Sequence, residues 1–214
     1  MQQHHFPVPR TARYFTLGAA GSHLRQVWFV CHGYGCLAQR FLENFKALDD
    51  GTRFVIAPEG LSRYYTDHDG GTVGACWMTR EDRLAEITDY VAYLDSLYKH
   101  VCKRIDRSSV TVCVLGFSQG AHTAARWISH GSAVADRLIL WGEVLPADLD
   151  LEMAWAKLED SRITFVVGTR DELVPAPKLE GSEARLLEHD IPYETIKYNG
   201  GHRLDRRVLR SLAG

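Results

Sequence analysis

The segment Val110-Thr111-Val112-Cys113-Val114-Leu115-Gly116-Phe117-Ser118-Gln119-Gly120 decides the fold prediction. Its first six residues form a short apolar run, which is typical of a strand that is covered on both faces. A helical pattern begins near Gln119, so the glycines 116 and 120 flank a strand-to-helix turn. A serine at the centre of such a turn is the arrangement of a nucleophile elbow. The context therefore favours Ser118 as a nucleophile over the alternative that it only caps the helix.

The same alternation of buried strands and helices extends over the rest of the chain. Further strands are predicted at 13–17 (an edge strand), 27–31, 54–57, 138–141, 163–167 and 193–198. Helices are predicted at about 37–49, 81–101, 119–130, 178–189 and 204–212. This order predicts one α/β domain spanning residues 1–214, with a mostly parallel central sheet of about seven strands and helices on both faces. In such sheets ligands bind at the carboxyl ends of the strands.

Composition excludes several classes of function. The 214 residues are 45% hydrophobic and carry a formal net charge of −2, which gives no electrostatic basis for binding nucleic acid or an anionic membrane. No stretch approaches 18 uninterrupted apolar residues, so no membrane insertion is expected. The five cysteines form no CxxC pair, which favours reduced thiols and a cytoplasmic location. The histidines show no metal-ligand spacing, and no metal is expected.

A base and an acid for Ser118 are predicted after two later strands. His202 directly follows the last strand, whereas His122, His130 and His189 fall within predicted helices. Asp171 lies just beyond strand 163–167, with Glu172 as its close rival. The order serine, acid, histidine at three separate strand ends matches a catalytic triad. In that arrangement the acid accepts one imidazole N–H and fixes the tautomer of the base.

An oxyanion hole is predicted from two backbone segments. The turn His32-Gly33-Tyr34-Gly35 follows strand 27–31 and can direct a backbone N–H at the tetrahedral intermediate. The N–H of Gln119, the residue after the nucleophile, would supply the second donor. We expect the side chain of His32 to brace the loop by hydrogen bonding.

Taken together, the motifs resemble the phospholipase/carboxylesterase group of small α/β-hydrolases, which includes acyl-protein thioesterases and bacterial carboxylesterases. The segments that carry the resemblance are His32-Gly33-Tyr34-Gly35, Ala57-Pro58-Glu59-Gly60, Gly116-Phe117-Ser118-Gln119-Gly120-Ala121, Asp171-Glu172-Leu173-Val174-Pro175 and Gly200-Gly201-His202. The resemblance implies the α/β-hydrolase fold, hydrolysis of short to medium acyl esters or thioesters, and no cofactor. It also implies the triad Ser118, Asp171 and His202, with the N–H groups of Tyr34 and Gln119 as oxyanion donors.

Two segments depart from the family pattern and affect the expected pocket. The stretch Trp141-Gly142-Glu143-Val144-Leu145-Pro146 replaces a small-residue segment, and Cys76-Trp77-Met78-Thr79 keeps only the Trp of a Trp-aromatic-Asp segment. Residues 58–82 form a long, aromatic-rich connection that we interpret as a wall of the substrate site. Trp77 is predicted to line that wall, although it could instead pack onto the sheet. Leu173 is expected by resemblance to line the acyl side.

The connection 142–161 has room for a short helix but for no lid domain, which favours an esterase over an interfacial lipase. The sequence thus predicts a serine esterase that acts on short- to medium-chain carboxylic esters, with a small-molecule acyl ester as substrate and a monomer or homodimer as the assembly. The alternatives are an acyl-protein thioesterase or lysophospholipase, and a non-catalytic binding protein on the same fold.

Overall fold

A computed structural model describes residues 1–214 and contains a seven-stranded central sheet. Its strands are β1 (Tyr14–Leu17), β2 (Gln26–Cys31), β3 (Arg53–Pro58), β6 (Thr111–Phe117), β7 (Arg137–Trp141), β8 (Arg162–Gly168) and β9 (Tyr193–Tyr198). A separate hairpin is formed by β4 (Ser62–Tyr65) and β5 (Val73–Cys76). The order across the large sheet is β1-β3-β2-β6-β7-β8-β9, and only β1 runs antiparallel to its neighbour. The predicted seven-stranded, mostly parallel sheet is confirmed.

Helices cover both faces of this sheet. They are α1 (Ala38–Leu42), α2 (Arg83–Cys102), α3 (Gln119–His130), α4 (Leu151–Leu158), α5 (Ala176–Glu188) and α6 (Arg206–Ala213), with two 3₁₀ helices at Glu43–Leu48 and Arg107–Ser109. Alternate residues of β2 supply the two cores: Phe29 belongs to the core that contains side chains of α2 to α5, whereas Trp28 belongs to the core that contains side chains of α1 and α6. Successive side chains of a strand point to opposite faces, which explains why the central strands are apolar throughout.

The connections differ from the predictions in two places. The helix expected at 37–49 is a single turn of α-helix that continues as the first 3₁₀ helix. The connection 58–82 is not irregular, because it contains the β4–β5 hairpin. As expected, the connection after β7 carries only the short helix α4 and no lid domain. None of the helices combines the length and the apolar composition that crossing a bilayer requires.

The strand register brings the loops after five strands together at one edge of the sheet. Cys31 pairs with Gly116, Phe117 pairs with Trp141, and Gly168 pairs with Tyr198. Because these strands are parallel, the loops that follow them emerge side by side. The loops after β2, β6, β7, β8 and β9 therefore converge on one surface.

Candidate active site

The turn between β6 and α3 holds Ser118 in a strained backbone conformation. Its φ of 54° and ψ of −123° lie in a region that residues other than glycine rarely adopt. Ser118 occupies the N-cap position, yet its side chain makes no capping hydrogen bond, so the hydroxyl is not used to stabilise the helix. The flanking glycines are required by space: a Cβ on Gly116 would lie 2.1 Å from the carbonyl oxygen of Gly120, and a Cβ on Gly120 would lie 2.1 Å from that of Cys31.

His202 and Asp171 form a hydrogen-bonded pair. The Nδ1 atom of His202 lies 2.9 Å from Oδ2 of Asp171, whose side chain is fully buried. The other carboxylate oxygen, Oδ1, accepts the backbone N–H of Leu173 at 3.0 Å. Glu172, the rival acid, is exposed. A carboxylate on Nδ1 fixes the tautomer in which that nitrogen carries the proton, and Nε2 is left as the basic atom.

The imidazole of His202 packs against two residues, one at the end of β6 and one directly after β7. The ring of Phe117 lies with its centroid 4.9 Å from that of His202. A Cβ on Gly142 would lie 3.1 Å from Cε1 of the imidazole. Gly142 also has a φ of 63°, so both its conformation and its contact require glycine. Neither residue was identified from the sequence, although a glycine directly after a strand is a signal for such close packing.

The two predicted oxyanion donors have free backbone N–H groups. The N–H of Tyr34 donates to no backbone carbonyl, whereas that of Gly35 bonds to Ala75. Gln119 is the first residue of α3, and N–H groups of a first turn have no partner within the helix. Gly33 allows the two segments to approach closely, because a Cβ on it would lie only 3.3 Å from Cβ of Ser118.

His32 braces the oxyanion loop from beneath, as its place in the turn predicts. It is fully buried, its Nε2 atom accepts the N–H of Gly60 at 2.9 Å, and its Nδ1 atom lies 2.8 Å from the carbonyl oxygen of Gly33. This pattern assigns the proton to Nδ1. Burial lowers the pKa of His32, so the ring stays neutral while it holds the two loop segments together.

Trp77 lies in a different place from the one predicted. It is 2% exposed, packs in the core against Tyr90, and does not line the cavity that contains Ser118. Its indole N–H donates to the carbonyl oxygen of His32 at 2.8 Å, and its ring stacks on the imidazole of His32. The prediction that Trp77 lines the substrate wall is therefore wrong, because satisfying the indole N–H turned the side chain inward.

The side chain of Gln119 extends this bracing. Its Oε1 atom accepts the backbone N–H of Trp77 at 3.1 Å, and its Nε2 atom donates to the carbonyl oxygen of Met78 at 2.7 Å. The residue after Ser118 thus joins the turn at the serine to the segment that supports the oxyanion loop. Sequence reasoning assigned no role to this side chain.

A buried carboxylate anchors the same region. The side chain of Glu59 is 1% exposed and accepts hydrogen bonds from Arg13 at 2.5 Å, Arg63 at 3.3 Å and the N–H of Ala38 at 3.2 Å. Burial alone would raise the pKa of Glu59, but these donors hold it below its usual range. The ionised carboxylate ties the end of β3 to the start of α1.

A cavity of about 500 Å³ contains Ser118 and His202 and is bounded mainly by apolar side chains. Its walls include Tyr34, Cys36, Phe41, Phe117, Leu173 and Leu204. Leu173 is 57% exposed and borders this cavity, and its expected place on the acyl side stays a prediction. Another cavity, of about 590 Å³, lies between β8 and α5 on the far side of Asp171, and neither Ser118 nor His202 borders it. Of the two cavities, the first is the one that gives access to both Ser118 and His202.

A model of the family described as Serine hydrolase (FSH1) matches residues 52–206, which is well over half of the chain. The chain belongs to this serine hydrolase family. The matched range contains the Ser118 turn, Asp171 and His202, whereas Tyr34 precedes it. No curated protein sequence matches the chain.

Solved structures share the fold of this serine hydrolase at low sequence identity. Acyl-protein thioesterase 2 of Zea mays is 17% identical with a TM-score of 0.70, and the match covers 95% of this chain and 96% of that one. A carboxylesterase from Mesorhizobium loti is 20% identical with a TM-score of 0.69, and the match covers 95% of each chain. The Bacillus cereus carboxylesterase is 16% identical with a TM-score of 0.68, covering 94% and 92%. The predicted α/β-hydrolase fold is confirmed, and so is the resemblance to this group of hydrolases.

Proposed function

We propose that this serine hydrolase is a carboxylesterase that cleaves short- to medium-chain esters through an acyl-enzyme, with Ser118, His202 and Asp171 as its triad. The observation that carries the proposal is the buried Asp171 carboxylate on Nδ1 of His202. It leaves Nε2 free as a base, in a cavity shared with a serine that the backbone strains into place. These features support a role of Ser118 in nucleophilic catalysis better than a purely structural role, because a structural turn would not require the strained backbone conformation of Ser118.

The chemistry follows from these positions. Oγ of Ser118 attacks the ester carbonyl while Nε2 of His202 takes the hydroxyl proton, and the carbonyl oxygen becomes an oxyanion facing the N–H groups of Tyr34 and Gln119. The imidazolium then gives its proton to the departing alkoxide. Nε2 next takes a proton from a water molecule that attacks the acyl carbon, and the imidazolium returns that proton to Oγ of Ser118 as the acyl–oxygen bond breaks and the carboxylic acid leaves. No step requires a cofactor.

The decisive experiment removes the hydroxyl. Ser118→Ala should lower kcat for p-nitrophenyl acetate and butyrate by about 10⁴-fold or more, because the serine and the base act as one unit. A free energy of unfolding equal to or higher than that of the wild type would show that the variant is folded and that the loss of activity is chemical. Turnover by the variant near the wild-type rate would overturn the proposal.

A fluorophosphonate probe separates this proposal from a non-catalytic binding role. The folded wild type should be labelled covalently, and Ser118→Ala should not. An unlabelled wild-type protein would favour the non-catalytic reading of the same fold.

The second candidate function is an acyl-protein thioesterase or lysophospholipase. It is favoured by the apolar walls of the cavity and by the likeness to the Zea mays thioesterase. A series of p-nitrophenyl esters from acetate to palmitate distinguishes the two. A maximum at short chains supports the carboxylesterase, and activity that rises steeply toward long chains supports the alternative.

The setting of the enzyme is part of the same proposal. A cytoplasmic location is supported by five cysteines that are all unpaired. Small acyl esters in solution are the proposed substrates, and a monomer or homodimer is the proposed assembly.

A further inference from the structure

The segment that departs from the family pattern after β7 carries the carboxylate of Glu143. Glu143 follows Gly142, the residue that packs on the imidazole of His202. Its side chain is 14% exposed, and Oε1 accepts the backbone N–H of Val144 at 3.0 Å. That bond holds the carboxylate against its own loop, and the same oxygen faces α5.

Lys178 of α5 is the cation that meets this carboxylate. Its Nζ atom lies 2.6 Å from Oε1 of Glu143. His122 of α3 lies farther away, with Nε2 at 3.7 Å from the same oxygen, and burial lowers its pKa, so it is neutral near pH 7. The negative charge of Glu143 is therefore matched by Lys178 and not by the histidine.

The same ammonium group also binds the loop that carries the acid. Nζ of Lys178 donates to the carbonyl oxygen of Leu173 at 3.1 Å, while the N–H of Leu173 donates to Oδ1 of Asp171 at 3.0 Å. Leu173 is thus held from both sides. Because the other carboxylate oxygen binds His202, a shift of this loop would change the angle at which Asp171 meets the imidazole.

We propose that the Glu143–Lys178 ion pair is a positioning pair for catalysis, which joins the loop orienting Asp171 to the loop packed against His202. The inference rests on the proposed triad and deepens it. The pair touches neither the substrate nor the reacting atoms, so its effect is carried by the geometry of the Asp171–His202 contact. Surface ion pairs contribute little to stability. We therefore expect this pair to affect mainly the alignment of the proposed triad, because it links the two loops that contact Asp171 and His202.

The test compares Lys178→Met, Glu143→Gln and the double variant with p-nitrophenyl butyrate as substrate. Each single variant should lower kcat about 10-fold and leave KM within about 2-fold, because alignment is lost and substrate contacts are kept. The double variant should be no slower than the slower single variant, since both changes break the same link. Losses that multiply in the double variant would contradict the proposal.

The pH profile separates positioning from a simple charge effect. Either variant should move the acid limb of kcat/KM to lower pH, because a misaligned Asp171 stabilises the imidazolium less. A field effect alone would move the limb in opposite directions, since one variant removes a positive charge and the other a negative one. Opposite shifts would overturn the proposal.

Two further variants complete the design. Lys178→Arg keeps the charge and the donors and should retain at least half of kcat. Arg162→Met breaks an exposed ion pair with Glu194 at the opposite end of β8, and it should leave kcat unchanged. An equal loss in Arg162→Met would assign the effect to general destabilisation and reject a positioning role. Should Lys178→Met not fold, Glu143→Gln and Lys178→Arg still decide the question.

The rate of covalent labelling by a fluorophosphonate keeps this inference distinguishable from the proposed function. Labelling depends on the base but requires no ester substrate. A wild type that is labelled but hydrolyses no ester would reject the carboxylesterase, and slower labelling of both single variants would still support the positioning pair. Unchanged labelling in both would reject it.

Discussion

Gly142 stands at a positive φ of 63° directly against the imidazole of His202, so both the backbone and the available space exclude a side chain. The same residue follows β7 and precedes Glu143, so it belongs to the loop that packs on His202. A single added methyl group there would push on the ring that we propose as the base for Ser118. Small displacements of a catalytic base are costly, since about 1 Å of misplacement lowers rates by about 100-fold.

Gly142→Ala is therefore expected to lower kcat for p-nitrophenyl butyrate by about 100-fold. The backbone penalty should also reduce the free energy of unfolding by about 1 kcal/mol, because alanine is disfavoured at positive φ. Steady-state kinetics and urea unfolding measure the two effects separately.

Gly51→Ala provides the matched control. Gly51 has a φ of 81°, and a Cβ on it would meet nothing within 4 Å. This variant should show a similar loss of stability with wild-type kcat. If both variants lost activity equally, the contact with His202 would not be the cause.

At the scale of elements, the segment after β5 supports the oxyanion loop after β2. The indole N–H of Trp77 reaches the carbonyl oxygen of His32, and Gly35 donates to Ala75 within β5. The Gln119 side chain binds the same segment from the other side. The loop that offers the Tyr34 N–H is thereby fixed on neighbouring elements before any substrate arrives, as oxyanion stabilisation requires.

Trp77→Phe should lower kcat about 10-fold, because a buried carbonyl loses its donor and the oxyanion loop relaxes. The free energy of unfolding should fall by about 1–3 kcal/mol. Trp127→Phe removes an equally buried indole N–H, which bonds to Asp95 at 2.9 Å away from the oxyanion loop. It should cost similar stability and leave kcat unchanged, and a shared kinetic defect would contradict the bracing role of Trp77.

These elements also show where sequence patterns stop being informative. The hairpin was not predicted because its strands, Ser62–Tyr65 and Val73–Cys76, are four residues long and lack a continuous apolar run. The direction of Trp77 depends on a hydrogen-bond partner 45 positions earlier in the chain, which no local period reveals. An aromatic residue in a loop is consistent with either a pocket wall or a core anchor.

Across the whole molecule, the buried carboxylate of Glu59 joins the chain before β1 to the end of β3 and to α1. Because its pKa is lowered in the folded state, its contribution to stability is complete above the unfolded value of about 4.3 and is lost as the pH falls through the folded value. Ionised Glu59 binds Arg13 and Arg63, and protonation would weaken both contacts.

Glu59→Gln should reduce the free energy of unfolding at pH 7 by about 2 kcal/mol, since two arginines lose a buried partner. The difference from the wild type should be constant above the unfolded pKa of about 4.3 and should shrink as the pH falls through the lower pKa of folded Glu59, where the wild-type carboxylate is itself protonated. Denaturant titrations at a series of pH values measure this difference in the free energy of unfolding. Glu43→Gln, which removes an exposed partner of Lys46, should show no such pH-dependent difference. A similar pH dependence in this variant would contradict the assignment of the effect to the buried Glu59 carboxylate.

The sequence predicts most of the sheet and the three proposed triad positions, because both depend on strand ends. Apolar runs ending in glycine mark where β6 and β8 stop, and parallel strands bring such ends together at one edge. Glu143 and Lys178 carry no comparable signal. They lie 35 positions apart (178 − 143) on a loop and a helix, and only their packing shows that they meet.

The strained backbone at Ser118 limits how stable this protein can become while it remains active. A side chain at such a φ and ψ costs about 1–3 kcal/mol, a sizeable part of the 5–15 kcal/mol by which a typical domain is folded. Glycine at position 118 would relieve that cost and remove the hydroxyl. Selection for heat resistance alone, in the laboratory or in nature, would therefore favour loss of the proposed nucleophile, so any programme of stabilisation needs an activity screen at every round.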